Sequence, residues 1–353
     1  MIVKKNSKLI YLLMAIVLVI VSGCSNSSST AESDTDKPAE GKGKTETIKV
    51  AYNLPQEHAV GLFFETMAEE IEKNTADTSI KLDVQTFPNG QLYTDADIPD
   101  ALSMGGVHIA QLNSGFIAGK QAAPLRVIDL PFLFENWEQV WTAEDGKYGE
   151  LFAEHLKKFD MEVLGWPAYG TVEIFGNFPI HVPDDIKGKK MRAFGQGASL
   201  LLEEMGASPV SMSSQEIYQA MEHGTIDGHT TGPSSVVDRS LYEVTSHGTD
   251  MGLSHLSFQA VANLKWFNDL PSDVQEAVRK AAKTAEKVAR DTVKKDEEEY
   301  KKKLAELGVE LYKPTDAERE EWLKGAEKRY QSYLDETGEA GQEFLDAVEE
   351  AKK

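Results

Sequence analysis

Residues 48–90 read IKVAYNLPQEHAVGLFFETMAEEIEKNTADTSIKLDVQTFPNG, and the hydrophobic periods within them decide the fold class. Ile48 to Tyr52 has the length and apolar content of a strand. From His58 to Lys73 the period changes to that of a helix, with Val60, Phe63, Phe64, Met67, Ala68 and Ile71 on one face. Ile80, Leu82 and Val84 then alternate with polar residues as in a second strand, and Pro88-Asn89-Gly90 punctuates its end. The alternation continues downstream. A short helix over 98–104 precedes a strand over 107–112, and Leu130 to Phe134 is an apolar loop suited to a core. Helices from Trp137 and over 151–159 lead to a strand over 162–166. A second unit holds strand 190–194, helix 198–205, strand 208–210 and helix 215–222. Strands alternating with helices predict an α/β protein with a mainly parallel sheet, whose ligands sit beyond the carboxyl ends of strands. The segment 256–263 reads as one strand returning to the first unit. From Ser272 to Leu307 the helical pattern is almost unbroken, a length of about 50 Å that suits a helix running along two domains. Helices over 316–333 and 341–351 finish the chain, and no repeat of solenoid or propeller period is present.

Upstream of Ile48 the sequence changes character. Lys4, Lys5 and Lys8 precede an apolar run from Leu9 to Val21. That run is shorter than the roughly 20 residues of a membrane span but suits a signal-peptide core. Val21-Ser22-Gly23-Cys24 resembles a bacterial lipoprotein signal site, in which the cysteine is acylated and becomes the new N-terminus. Residues 1–24 are therefore expected to be a signal peptide with its acylation site at Cys24, the alternative being a chance cysteine after an ordinary signal peptide. Stable anchoring takes two acyl chains, which the lipoprotein modification supplies. Residues 25–47 are Ser, Thr, Asp, Glu, Lys, Pro and Gly with almost nothing to bury, which predicts a disordered tether. Cys24 is the only cysteine of the chain, which excludes an internal disulfide and a multi-cysteine metal site.

The remaining 300 or so residues suffice for two domains of ordinary size. With 58 acidic against 37 basic side chains the formal charge is -21, so nucleic acid is excluded as a partner. An anionic membrane surface would repel such a body. Any anionic ligand must be held against this field by a local group, an arginine or a helix N-terminus.

Lys189-Lys190-Met191-Arg192-Ala193-Phe194-Gly195-Gln196-Gly197 places an arginine-bearing strand before a Gly-x-Gly turn that opens a helix. A helix start offers free N–H groups, and an arginine beside it grips a carboxylate with two parallel hydrogen bonds. The plainer alternative is a surface arginine beside an ordinary turn. Asp227-Gly228-His229-Thr230-Thr231-Gly232-Pro233 reads as a polar loop whose hydroxyls serve a ligand or satisfy their own backbone. His58 stands at the start of the first helix, as a cleft residue or as a cap. His223, His229, His247 and His255 lack the His-x-x-x-His spacing of a helical metal site and read as ordinary surface histidines, with metal binding as the alternative. There is no Gly-x-Ser-x-Gly elbow and no phosphate loop, and Glu69-Glu70 and Glu203-Glu204 fall on solvated helix faces. No catalytic residue, cofactor or metal is expected.

Several stretches together resemble one family. They are Tyr52-Asn53-Leu54-Pro55 with His58; Phe87-Pro88-Asn89-Gly90-Gln91-Leu92; Leu130-Pro131-Phe132-Leu133-Phe134; Pro179-Ile180 with 185–192; Gly206-Ala207-Ser208-Pro209 with 216–221; and Ile226-Asp227-Gly228 with Tyr242-Glu243-Val244. In order and spacing they resemble the DctP-type solute-binding proteins of tripartite ATP-independent periplasmic (TRAP) transporters, from Ile48 to the C-terminus.

The resemblance implies a two-domain α/β, periplasmic-binding-protein-like (Venus flytrap) fold, with a hinge and a long helix spanning both domains. Domain I is expected over 48–169 plus 257–296, and domain II over 170–256 plus 297–353. It implies capture of a small organic acid and delivery to a TRAP membrane permease, with no catalysis. Arg192 falls on the family's carboxylate-binding arginine, and the helix start at Gly197 is expected to help it. Asn53, His58 and Asn113 approach from domain I; Ser214, Thr230 and Thr231 complete the set; Trp166 and Tyr169 beside the hinge supply stacking. The chain departs from the family's best-known acid binders at Val172, where they carry a second arginine. It also departs at Thr231 (asparagine), Ser214 (an aromatic) and Asn113 (a glutamate). Those departures imply a monocarboxylate with an aromatic or hydroxylated remainder. The expected protein is a monomer outside the cytoplasm, lipid-anchored to the outer face of the cell membrane and touching the membrane only through that anchor. A receptor module feeding a sensor kinase, or a lipid-anchored enzyme using the same cleft, are the alternative readings.

Overall fold

The computed structural model describes residues 44–353; the expected signal peptide, Cys24 and residues 25–43 of the expected tether lie outside them. The strands are Lys44–Ala51 (β1), Ile80–Phe87 (β2), Ile109–Leu112 (β3), Met161–Gly165 (β4), Ala168–Gly176 (β5), Lys190–Ala193 (β6), Ser208–Ser211 (β7), Gly228–Thr231 (β8), His247–Thr249 (β9), Ser254–Ser257 (β10), Gln259–Asn263 (β11) and Glu310–Tyr312 (β12). The helices are Ala59–Asn74 (α1), Ile98–Ser103 (α2), Trp137–Glu144 (α3), Lys147–Lys157 (α4), Gln196–Glu204 (α5), Ile217–Glu222 (α6), Pro233–Asp238 (α7), Leu264–Asp269 (α8), Ser272–Glu306 (α9), Asp316–Thr337 (α10) and Glu339–Ala351 (α11).

The strands form two sheets. The first has the order β2-β1-β3-β11-β4; β1 runs parallel to β2 and β3, while β11 is antiparallel to both its neighbours. The second has the order β12-β9-β5-β8-β6-β7, with β10 added antiparallel to β5. The βαβ unit read from 48–90 is present, and α1 buries the apolar face expected of it. The parallel expectation holds for β1, β2 and β3 and for β6, β7 and β8, whereas the returning strands are antiparallel.

Four expectations need correction. The tether does not reach Thr47, because Lys44 to Thr47 already belong to β1 and pair with Ile80 to Asp83. Backbone pairing is indifferent to their polar side chains, and Thr47 adds a bond from its hydroxyl to Asp83 at 3.1 Å. The apolar run 256–263 is two strands meeting at Phe258, one on each sheet. Both pieces are buried, so the run reads as continuous. The polar stretch 227–233 is no loop: β8 lies between β5 and β6, wholly buried. Its polar side chains bond inward, the Thr230 hydroxyl to the Arg192 carbonyl at 3.0 Å and the His229 imidazole to the Thr245 hydroxyl at 3.0 Å, so His229 is a buried histidine of the sheet and not the surface one expected. Finally, the C-terminal helix α11 does not follow the second sheet. Phe344, Ala347 and Val348 share a core with Tyr148, Phe152 and Trp166, where the Phe344 ring meets Tyr148 and Phe152 edge-on at 5.7 and 5.4 Å.

The two sheets are linked through Trp166-Pro167 between β4 and β5, through Phe258 between β10 and β11, and by α9. Val274, Ala277, Val278, Ala281, Ala282, Ala285 and Ala289 are buried along α9. Their small size lets α1 pack close. Further along, α9 meets β5, α7 and β12, so this one helix follows both sheets. No helix among the described residues is long and apolar enough to cross a membrane.

Candidate functional site

Arg192 is one residue from the end of β6, held between β7 and β8 in register with Val210 and His229. It is 1 % exposed. Nε donates to the Met212 carbonyl at 3.1 Å and Nη1 to the Thr230 carbonyl at 2.8 Å. Nη2 is buried and has no hydrogen-bond partner among the described residues. Burial lowers its pKa to about 10, with nearby Asp95 acting the other way, so the group is a cation at neutral pH. A buried cation with an open donor is costly unless an anion meets it.

Arg192 faces a small cavity where segments of the two sheets meet. Asn53, Leu54, Asp95 and Asn113 line it from segments that follow strands of the first sheet. Tyr169, Val172, Phe194, Ser214, Thr231, Ser235 and Arg239 line it from the second, and Leu256 and Phe258 from the crossing. Asn53 lies just past β1, Asn113 past β3, and Phe194 past β6, which is the carboxyl-end placement expected of α/β ligand sites. Hydrogen bonds cross the cavity from one side to the other. Asn53 Nδ2 donates to Ser214 Oγ at 3.4 Å, and Asn113 Nδ2 to the Phe194 carbonyl at 2.9 Å. Arg239 Nη2 donates to the Asn53 carbonyl. The Ser214 amide donates to the Asp95 carboxylate at 3.2 and 3.3 Å.

Of the residues expected at the site, Arg192, Asn53, Asn113, Tyr169, Ser214 and Thr231 line this cavity. Trp166, His58 and Thr230 do not. Trp166 is packed into the core, its ring 5.2 Å from Phe152 and 6.2 Å from Tyr148. His58 borders a small neighbouring cavity with Thr171, Ser234, Asp296 and Tyr300. Its Nδ1 accepts from the Val60 amide at 3.1 Å and caps α1, so Nε2 carries the proton and donates to Ser234 Oγ at 3.0 Å. Burial first, and the Arg239 charge second, push its pKa down to about 3. Thr230 instead holds Arg192 at two points, accepting at its carbonyl and donating from its hydroxyl. The start of α5 is also displaced from the expected role: a side chain on Gly197 would collide with Asp129 Oδ2 at 2.2 Å, and Gly197 is not part of the lining.

Tyr169 forms the wall between the two cavities. Its hydroxyl donates to Ser235 Oγ at 2.8 Å and accepts from the Gly232 amide at 2.9 Å. Arg239 and Asp95 are the functional-looking residues that sequence reading missed. Arg239 sits at the end of the six-residue helix α7, just beyond the polar stretch singled out above. Asp95 lies in an acidic loop with no distinguishing pattern. Among the described residues no cluster of three His, Cys, Asp or Glu side chains is placed to hold a metal.

Residues 50–337 match the model of the DctP family, described as bacterial extracellular solute-binding protein family 7. The chain belongs to this family. It is 29 % identical to the C4-dicarboxylate-binding periplasmic protein DctP of Rhodobacter capsulatus, over 73 % of this chain and 77 % of that one. Against the protein of the same name from Vibrio cholerae the identity is 30 %, over 72 % and 77 % of the two chains. The sugar acid binding protein DctPAm of Advenella mimigardefordensis, solved in complex with galactonate, superposes with a TM-score of 0.81. The identity is 27 %, covering 88 % of this chain and 99 % of that one. As a DctP-family protein the chain is an extracytoplasmic solute-binding subunit of a TRAP transporter, with the two-domain α/β fold of that class, and not an enzyme.

Proposed function

We propose that this DctP-family protein captures a small organic acid between its two lobes, with Arg192 as the carboxylate contact. The observation that carries this is the buried Arg192 guanidinium, a cation with an open donor at the wall of the cavity. Asn53, Asn113, Ser214 and Thr231 give polar contacts around it, and Tyr169 closes one wall. The lobes follow the two sheets, with Trp166-Pro167, Phe258 and α9 as the hinge segments. Closing them expels water, which strengthens each charged hydrogen bond inside. A ligand favours the closed form only by its differential affinity for it, and that differential lets a permease distinguish loaded protein from empty. Cys24 carries the lipid anchor, a tether ending before Lys44 holds the body off the outer face of the membrane, and the protein acts as a monomer. The signal-like start and the small residues before Cys24 support the anchor.

The test is a thermal-shift screen of the purified protein against mono- and dicarboxylates, aromatic acids, sugar acids and neutral sugars. A ligand at 100 times its Kd stabilises by about 2.7 kcal/mol, a shift of several degrees. Arg192→Ala is expected to cancel the response while the protein stays folded. An unchanged affinity in that variant would remove Arg192 from the role.

A further inference from the structure

We infer that the site selects a monocarboxylate whose other polar end is a neutral hydrogen-bond donor, with Arg239 as a second anion contact and Asp95 as the group that reads the donor. This rests on the preceding reading that Arg192 takes the ligand's carboxylate, and it adds the ligand's charge and the character of its second polar end.

The charges are the first observation. Among the described residues that line the cavity, those formally charged at neutral pH are Arg192, Arg239 and Asp95, which leaves the cavity a net charge of +1. No ion pair within 4 Å joins Asp95 to either arginine, so the guanidinium groups are not consumed by it. A monoanion brings the enclosed charge to zero. A dicarboxylate brings it to −1, an uncompensated charge once the lobes enclose it, in a chain that already carries −21 and repels anions at long range. A zwitterionic amino acid leaves the +1 unanswered.

Unused hydrogen-bonding capacity is the second. On the donor side, Arg192 Nη2 and Arg239 Nε are buried with no partner among the described residues. On the acceptor side, Asn53 Oδ1 is buried and equally without one. Asp95 accepts from the Ser214 amide alone, at 3.2 and 3.3 Å, although an ionised carboxylate offers about four acceptor positions. Unmet donors call for the carboxylate, and unmet acceptors for a hydroxyl or an amide N–H. Leu54, Val172, Leu256 and Phe258 add apolar wall, the other polar lining groups (Asn113, Tyr169, Ser214, Thr231 and Ser235) are neutral, and among the described residues no third cation lines the cavity to meet a second carboxylate.

The experiment is isothermal titration of the purified full chain with two matched series: lactate, propionate and malate; gluconate and glucarate. The hydroxy monocarboxylate of the preferred series is expected to bind about tenfold or more tighter than its dicarboxylate, and lactate tighter than propionate. Asp95→Asn, which takes the cavity to +2, is expected to shift the mono-to-dicarboxylate ratio about tenfold toward the dicarboxylate. Arg239→Gln is expected to weaken the monocarboxylate by about tenfold, and Arg239→Lys, which keeps the charge, to recover part of that. A wild type that prefers the dicarboxylate overturns the inference, as does an Asp95→Asn variant with an unchanged ratio. In both cases, binding that still depends on Arg192 leaves the earlier reading standing. Acid binding that survives Arg192→Ala overturns both, and no binding in either series overturns the inference.

Discussion

Gly195→Ala is expected to separate folding from capture. Gly195 lies in the turn between β6 and α5 with φ 145° and ψ -175°, a region essentially reserved for glycine. It lies against the backbone of Gly115, two residues past Asn113. A Cβ on Gly195 would stand 2.6 Å from the Gly115 carbonyl carbon and oxygen and 2.7 Å from its Cα. Carbon pairs rest at about 3.5–4.0 Å, so the two segments must part by about 1 Å. The Asn113 to Phe194 bond beside them, now 2.9 Å, would open beyond hydrogen-bonding reach. Gly115 is itself fixed, its amide donating to Asn113 Oδ1 at 3.0 Å, and cannot retreat freely. The strained turn costs about 1–3 kcal/mol in any state, whereas the collision belongs to the approach of the two sheets' segments seen here, which we propose is the closed form. The variant should therefore fold with a modestly lowered Tm and lose the ligand-induced shift of several degrees. X-ray scattering should record ligand-dependent compaction in wild type and none in the variant. Gly188→Ala is the control: Gly188 has φ 72° with nothing within 4 Å of an added Cβ, so it carries backbone strain without the collision. Wild-type affinity in Gly195→Ala would refute the idea that closure across Gly115 accompanies binding.

Trp166→Ala should destabilise the protein by about 3–5 kcal/mol, the ordinary result of emptying an aromatic core position, while folded Trp166→Phe keeps its ligand affinity; affinity lost in the latter would return Trp166 to the site. His58 predicts a pH dependence with a definite sign. Its pKa is about 3 when folded, against 6.5 ordinarily, so below 6.5 the unfolded chain binds a proton that the folded one refuses. Stability is then fully present above 6.5 and lost as pH falls toward 3, by about 1.4 kcal/mol per pH unit from this residue. In urea unfolding at a series of pH values, His58→Gln should flatten that acid limb relative to wild type. Parallel curves for the two proteins would show that His58 is not held neutral.

The parts legible in the sequence are those whose signal is periodic and local. The βαβ unit at 48–90 was readable because α1 and its flanking strands each bury one face. The placement of Arg192 near the end of a strand that turns into a helix was readable from the local pattern. What escaped depended on partners remote in the chain. Trp166 and Tyr169 are both large aromatics beside the same crossing; one packs against Phe152 from α4 and the other bounds a cavity, and nothing local distinguishes them. The stretch 227–233 looked like a loop because its residues are polar, yet they serve a buried strand whose bonds go to Arg192 and Thr245. Lys44 to Thr47 looked disordered for the opposite reason, since strand pairing there costs no apolar side chain. Phe344 and Val348 sit on a plainly amphipathic helix, but the face that receives α11 is assembled from α3 and α4, some 190 residues earlier.

Val172 and Arg239 carry the same lesson into the site itself. The resemblance implies an arginine where this chain has Val172, and position by position that reads as a charge lost. In space, Val172 and Arg239 line one cavity. The valine contributes an apolar wall from β5, and a guanidinium arrives from the end of α7, close enough to lower the pKa of Arg192 and to donate to the Asn53 carbonyl. Asp95 then offsets one of the two cations. Coulomb interactions depend on distance and local dielectric and not on which strand supplies the charge. The quantity selection acts on is the charge enclosed with the ligand, and a residue-by-residue comparison at aligned positions is blind to an arginine that has entered from another element. That is why the departure at Val172 alone points to a weakened anion site, while the assembled cavity retains two cations and sets them against a single carboxylate.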